Sequence, residues 1–219
     1  MSSTFFTSSV YESVEDGVLE LINKQADFLS KSTAGSTRAT GDAIQSIIQE
    51  GFEQILGEHG GEYSACFARR AMADFAFQDN SNNYYVVDVK THREDTAFNM
   101  PNLTSVDRLA RFYEDDANFF VMLMVKYRVE DTHVTVTTVH FLPIEHLKWS
   151  CLTLGALGWG QIQIANSKHI EIDRSATRRS WMLDFCDNVL EFYPRESAKI
   201  VKRITRFEKV KEFWLAKSK

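Results

Sequence analysis

The longest uninterrupted apolar run in the chain is FFVMLMV, residues 119–125. A membrane-crossing helix needs roughly 20 such residues, so this run belongs to a globular core, and its residue types predict a strand over 118–129. A second long strand is expected over 133–141, across the polar turn EDT. Sixteen Phe and four Trp, against ten Gly and three Pro, exclude a disordered or collagen-like chain, because burying that surface offsets chain entropy. At 219 residues the chain suits one large domain with a sizeable core.

The opening MSSTFFTSSVYESVED lacks a basic stretch followed by an apolar one, so no secretory signal is expected and the cytoplasm is the expected compartment. Cys66, Cys151 and Cys186 are odd in number, far apart and without a CxxC pair. That pattern predicts buried thiols in a reducing compartment rather than a disulfide framework or zinc site. Nor do the six His show paired metal spacing, and His140 and His146 read as structural or surface residues.

Apolar spacing predicts a helix over 9–30, then a small polar loop over 32–41 (STAGSTRATG), then a second helix capped by Asp42 and ending near Gly57. Strands are expected over 62–68, 72–78 and 84–90, with the turn cluster DNSNN between the last two. Residues 91–102 read as a loop, and Thr104 with Asp107 resembles a capping box for a helix over 105–116. A short strand QIQIA follows a glycine-marked loop, and the last forty residues read as two helices broken at Pro194. This order predicts an α/β fold: one domain with a mixed sheet flanked by helices. Residues 1–57 would form its helical part, 62–172 its sheet core and 175–219 its C-terminal helices.

Asp74, Asp88 and Lys90 carry the chemistry. On a strand, Asp88 and Lys90 project from one face while Val87 and Val89 anchor the other. If the turn centres on Ser81, Asp74 falls opposite Asp88, with Cβ atoms about 5 Å apart. Like charges so placed destabilise a sheet unless something binds between them. A hard divalent cation such as Mg²⁺ does so, and keeps waters for phosphate chemistry. Lys90 alongside would orient an attacking water. The same spacing also fits a simpler reading, in which Asp88 and Lys90 form an edge-strand ion pair and Asp74 only starts a turn.

The segments MADFAF and VVDVKT, joined by a short hairpin, resemble the PD-(D/E)xK nuclease motif, with Ala73 where Pro is usual. DVKTHREDTAFNMPNLTSVDRLARFY is similar to the matching stretch of its type II restriction endonucleases, in the HincII-like branch: DVKT, a loop, a Pro-Asn pair and a helix. GQIQIANSKHIEI, TRRSWMLDF and TGDAIQSII extend the resemblance over most of residues 36–193, with high specificity only around 74–102.

The resemblance implies that Asp74 and Asp88 bind Mg²⁺ with help from the carbonyl of Val89, and that Lys90 holds the nucleophilic water. It also implies that Thr91 touches a backbone phosphate, that Asn102 reads purine edges in the major groove, and that Asn99 matches a glutamine wedged into the DNA. Phe98 and Met100 are larger than the alanines expected there, and either is a candidate apolar wedge. Arg38 is a candidate phosphate contact, Gln161, Gln163 and Asn166 candidate base readers, and Glu50 and Glu53 candidate acids behind the site. The ordinary alternatives are a solvated loop charge at Arg38, a half-buried strand at QIQIA and plain helix-surface acids.

The implied activity is Mg²⁺-dependent cutting of both strands of duplex DNA at a short specific site, leaving 5′ phosphates. A palindromic site implies a two-fold homodimer, with the helices of 9–57 as candidate seam, and no membrane partner is expected. Two alternatives stand beside it: a structure-directed repair or junction nuclease of the same fold, and a non-catalytic DNA-binding domain. The net charge of −5 at first opposes nucleic acid. Its distribution matters more: residues 168–219 hold 13 Lys/Arg and 8 Asp/Glu, leaving 12 and 22 for residues 1–167. The basic C-terminal stretch reads as an amphipathic surface helix, solvated or facing nucleic acid.

Overall fold

In a computed structural model, residues 3–25, 27–64, 73–96 and 99–217 are described. Four helices come first: α1 (Thr4–Thr7), α2 (Val10–Lys24), α3 (Lys31–Ala34) and α4 (Thr37–Leu56). Strands β1 (Gly60–Ser64), β2 (Phe75–Asp79), β3 (Tyr84–Arg93) and β4 (Asn102–Ser105) precede helix α5 (Val106–Phe112). Then come β5 (Asn118–Glu130), β6 (His133–Pro143), β7 (Leu152–Gly155), β8 (Gln161–Ile164) and the long helix α6 (Arg178–Leu215).

Five strands form a mixed sheet in the order β1-β2-β3-β5-β6. Only β3 and β5 run parallel, and the chain between them passes through β4 and α5, the crossover that a parallel pair requires. The other three strands make an antiparallel sheet, β4-β8-β7. The chain is thus a single α/β domain, with a mixed sheet flanked by helices.

The apolar run of β5 is continuous because both faces of the large sheet are covered. Phe119, Val121 and Leu123 pack with Val87 of β3, Val18 of α2 and Ile44, Ile48 and Phe52 of α4. Phe120, Met122 and Met124 face the opposite way, onto Leu109 of α5, Ile162 of β8 and Trp181 and Phe185 of α6. Arg178 pins the start of α6 there: its Nε donates to Glu145 at 3.0 Å and its guanidinium lies 4.3 Å from the Tyr113 ring centre.

Several elements differ from expectation. The polar stretch 32–41 is mostly helical: Ser30 and Thr33 form a capping box for α3, and Ser36 Oγ accepts the Ala39 N–H to start α4. Buried Thr40 and Gly41 hold that turn against the sheet, so Asp42 lies inside the helix and does not cap it. Ser105, not Thr104, caps α5, and the first long helix ends at Lys24 rather than residue 30. β3 runs three residues past Lys90, so residues 91–93 are strand, not loop.

The C-terminal residues form one helix through Pro194, not two. A proline deprives the carbonyl four residues back of its donor, and that residue, Leu190, is exposed, so water can serve it. The strand expected over 62–68 is described only to Ser64, that over 72–78 starts at Phe75, and Cys66 and Phe98 lie outside the described residues. The apolar stripes of α2 and α4 pack into the chain's own core. Among the described residues no helix is long and apolar enough to cross a membrane.

Candidate active site

β3 is a central strand of the large sheet, not an edge, and its alternation sets the site. Val87 and Val89 point to the helix side, which leaves Asp88 and Lys90 on the opposite face. Lys90 Nζ donates to Asp88 Oδ1 at 2.8 Å, so the ion pair forms, but within a buried strand. The side chain of Asp88 is 7% exposed and that of Lys90 20%.

The second oxygen of Asp88, Oδ2, is buried with no partner. An unsatisfied carboxylate oxygen in that position is costly, and burial pushes the Asp88 carboxyl up to about 7, opposed by Lys90 and reinforced by the charge on Asp74.

Asp74 stands just ahead of β2. The hairpin has the expected register, pairing Phe75 with Val87 and Gln78 with Tyr84, but the ladder stops at Phe75. Asp74 is therefore not a ladder partner of Asp88. Its N–H donates to the carbonyl of Val87 at 2.9 Å, and its Oδ2 accepts the N–H of Val89 at 2.7 Å. The Val89 group seen at the acid pair is thus its amide. Burial raises the Asp74 carboxyl, against the Val89 N–H, Lys90 and Gln45, which favour its charged form.

Helix α4 completes the site with residues that sequence reasoning missed. Gln45 Nε2 donates to Asp74 Oδ1 at 2.6 Å, and Gln49 Nε2 to the Asp74 carbonyl at 3.0 Å. One turn apart, they lie beside the buried Ile44–Ile48 stripe, and that i, i+4 amide pair is the signal available in sequence. Glu50 and Glu53, the expected backing acids, are exposed on the same helix.

A cleft of about 220 Å³ opens beside the acids, lined by Arg38, Asp42, Gln45, Lys90 and Thr91 among others. Arg38 thus stands in the first turn of α4 rather than in a loop, at the rim above Lys90 and Thr91. Thr91 packs so close to Gly41 that a Cβ there would lie 2.5 Å from Thr91 Oγ1.

The expected readers gather on the smaller sheet. Asn102 and Gln163 are cross-strand partners, and Gln163 Nε2 donates to Asn102 Oδ1 at 2.6 Å. Gln161 is half-buried and pairs with Ser105 and Gly155. The segment before β4 lies along β8: the Asn99 carbonyl accepts from Ser167 and the Pro101 carbonyl from Ile164. That leaves Asn99 half-buried and Met100 exposed. The Asn166 side chain accepts from the Lys168 N–H and closes a turn. His140 and His146 stand apart from the acids, both held neutral to lower pH by burial.

Two carboxylates, one with an orphaned buried oxygen, fit a hard cation that takes its remaining ligands from water and backbone. Among the described residues no group of three or more His, Cys, Asp or Glu is gathered as a metal site. No model of a known protein family and no curated protein matches the chain.

Proposed function

We propose that the chain is a Mg²⁺-dependent nuclease of the PD-(D/E)xK type II restriction kind, which hydrolyses phosphodiesters in both strands of duplex DNA at a short specific sequence. The observation that carries the reading is the buried, unpartnered Oδ2 of Asp88 beside Asp74, with Lys90 on the other oxygen. Asp74 and Asp88, with the Val89 carbonyl as the resemblance implies, would hold Mg²⁺. When bound, that ion supplies a counter-charge for the phosphate and the leaving 3′ oxygen.

Lys90 positions the attacking water, and its ammonium stabilises the charge that develops on phosphorus oxygens. Gln45 and the Val89 N–H fix the Asp74 carboxylate. Arg38 and Thr91 contact the phosphate backbone at the cleft. Asn102, Gln163 and Gln161 read base edges from the smaller sheet, and Asn99 and Met100 meet the stacked bases beside them. Cutting both strands of a palindrome calls for two copies of the site, and the work of such an enzyme lies in the cytoplasm with the DNA.

The test is incubation of purified protein with a long duplex of known sequence, with and without Mg²⁺, followed by end sequencing. Discrete fragments with 5′ phosphates and a shared palindrome are the expected result. Cutting confined to branched or damaged DNA would replace it with a repair or junction nuclease, and binding without any metal-dependent cutting with a DNA-binding domain.

A further inference from the structure

The outer half of α6 is exposed along nearly its whole length. From residue 197 to 217 every residue is exposed except half-buried Val210, yet the segment is rich in large apolar side chains. Ile200, Ile204, Phe207 and Trp214 are 50%, 55%, 70% and 66% exposed. A lone helix with such a stripe is marginal in water, and a contiguous apolar strip of this size marks an interface.

The spacing says what kind. Leu190, Tyr193, Ser197, Ile200, Ile204, Phe207, Lys211 and Trp214 alternate in steps of three and four, the heptad seam of a two-stranded coiled coil. Such a seam is self-complementary, so the simplest occupant is the same helix of another copy.

Charge supports that occupant and sets its direction. In a parallel, in-register pair each residue flanking the seam meets the residue five positions on in the other helix. Arg203 then faces Glu208 of the partner subunit, and the relation repeats by symmetry. Val210 likewise faces Leu215 of the partner subunit. The other cations, Lys199, Lys202, Arg206 and Lys209, fall on the outer face, away from the seam. Lys211 within the seam can extend its stem along the groove, and a lone lysine there favours two strands in register.

We infer that the chain dimerises through a parallel coiled coil of the C-terminal half of α6, with its seam on Ile200, Ile204, Phe207 and Trp214. Both domains then lie at the same end of the pair. This rests on the helix alone, although under the nuclease reading it supplies the second active site.

Sedimentation of the full-length protein, free of DNA and Mg²⁺, tests it. The wild type should be a dimer, and Ile204→Glu with Phe207→Glu a monomer whose domain melts at the same temperature. Arg203→Glu should weaken the dimer by about tenfold or more, and adding Glu208→Arg should restore it by recreating the pair. A monomeric wild type, a dimer indifferent to these variants, or a monomer that binds anionic vesicles through this stripe would overturn the inference. Asp88→Ala should abolish cutting without altering sedimentation, so the dimer and the nuclease reading fail separately.

Discussion

Lys90 Nζ lies 2.8 Å from Oδ1 of Asp88, two residues back on the same strand, while Oδ2 of that carboxylate is buried without a partner. A structural ion pair in a closed strand would satisfy both oxygens. Here the lysine meets half of the acid's capacity and burial penalises the rest. Asp88→Asn should therefore abolish cutting, measured on plasmid DNA, while the protein keeps or gains thermal stability without metal above about pH 7.

The same burial fixes a pH dependence. In the metal-free fold burial lets the Asp88 carboxyl keep its proton up to about 7, against an ordinary value of 3.8. Native protein thus binds a proton that unfolded protein has lost, at about 1.4 kcal/mol per pH unit. That stabilisation is complete below about pH 4 and is lost as pH rises through about 7. The melting temperature of wild type minus that of Asp88→Asn should fall across this window and level off above it. Mg²⁺ should raise the wild-type melting temperature near pH 8, hardly at all near pH 5, and not in the variant. A flat difference curve would show that Asp88 does not titrate in this way.

Under the nuclease reading Gln45 acts through Asp74, to whose Oδ1 it donates, as a positioning residue. Gln45→Ala removes a donor from a half-buried acid and should cost about 1 kcal/mol of stability. It should also shift the acid limb of the cutting profile to higher pH, because the Asp74 carboxyl rises further once that donor is gone. Gln45→Glu, which sets acid against acid, should move the limb further. A drop in rate with no shift of the limb would reduce Gln45 to a packing role.

The local part of this site was legible in sequence. Alternation alone places Asp88 and Lys90 on one face, and a turn centred on Ser81 gives the register that pairs Phe75 with Val87. What a linear reading lacks is where the ladder ends: one residue before β2, the Asp74 side chain takes up the Val89 N–H. Gln45 and Gln49 stayed hidden because their partner is 29 and 25 residues away. Small polar residues at 32–41 resembled a loop, since Ser and Thr favour caps as much as turns. Two caps in succession, Ser30 and Ser36, make it helical. Pro194 reads as a breaker only when the carbonyl it orphans lies away from water.

Gly41 is held against Thr91 by space rather than by backbone conformation. In an exposed helix Gly→Ala gains up to about 1 kcal/mol. Here the added Cβ would meet Thr91 Oγ1 at 2.5 Å, forcing α4 from β3 at the edge of the site. Gly41→Ala should thus lose about 1–3 kcal/mol and slow cutting. Gly41→Ala with Thr91→Ala should recover the stability in chemical denaturation, since the clash is gone, but not the cutting rate if Thr91 contacts phosphate as proposed. A stable single variant would show that the helix and strand separate at no cost.

Asn102 and Gln163 make the sharpest test of readout. Their amides already bond to each other at 2.6 Å, so each fixes the other's rotamer, and under the nuclease reading the pair would offer its remaining amide groups to a base edge. Asn102→Ala should erode discrimination between bases by about 1–3 kcal/mol, read from relative cutting rates on a set of single-base variants of the site. Gln163→Ala should erode it at the same base position, because it frees the Asn102 amide to rotate. Since the two act as a unit, the double variant should lose little more than either single one. Additive losses at different base positions would mean that the two amides read separately. An unchanged site preference in both variants would remove the smaller sheet from recognition.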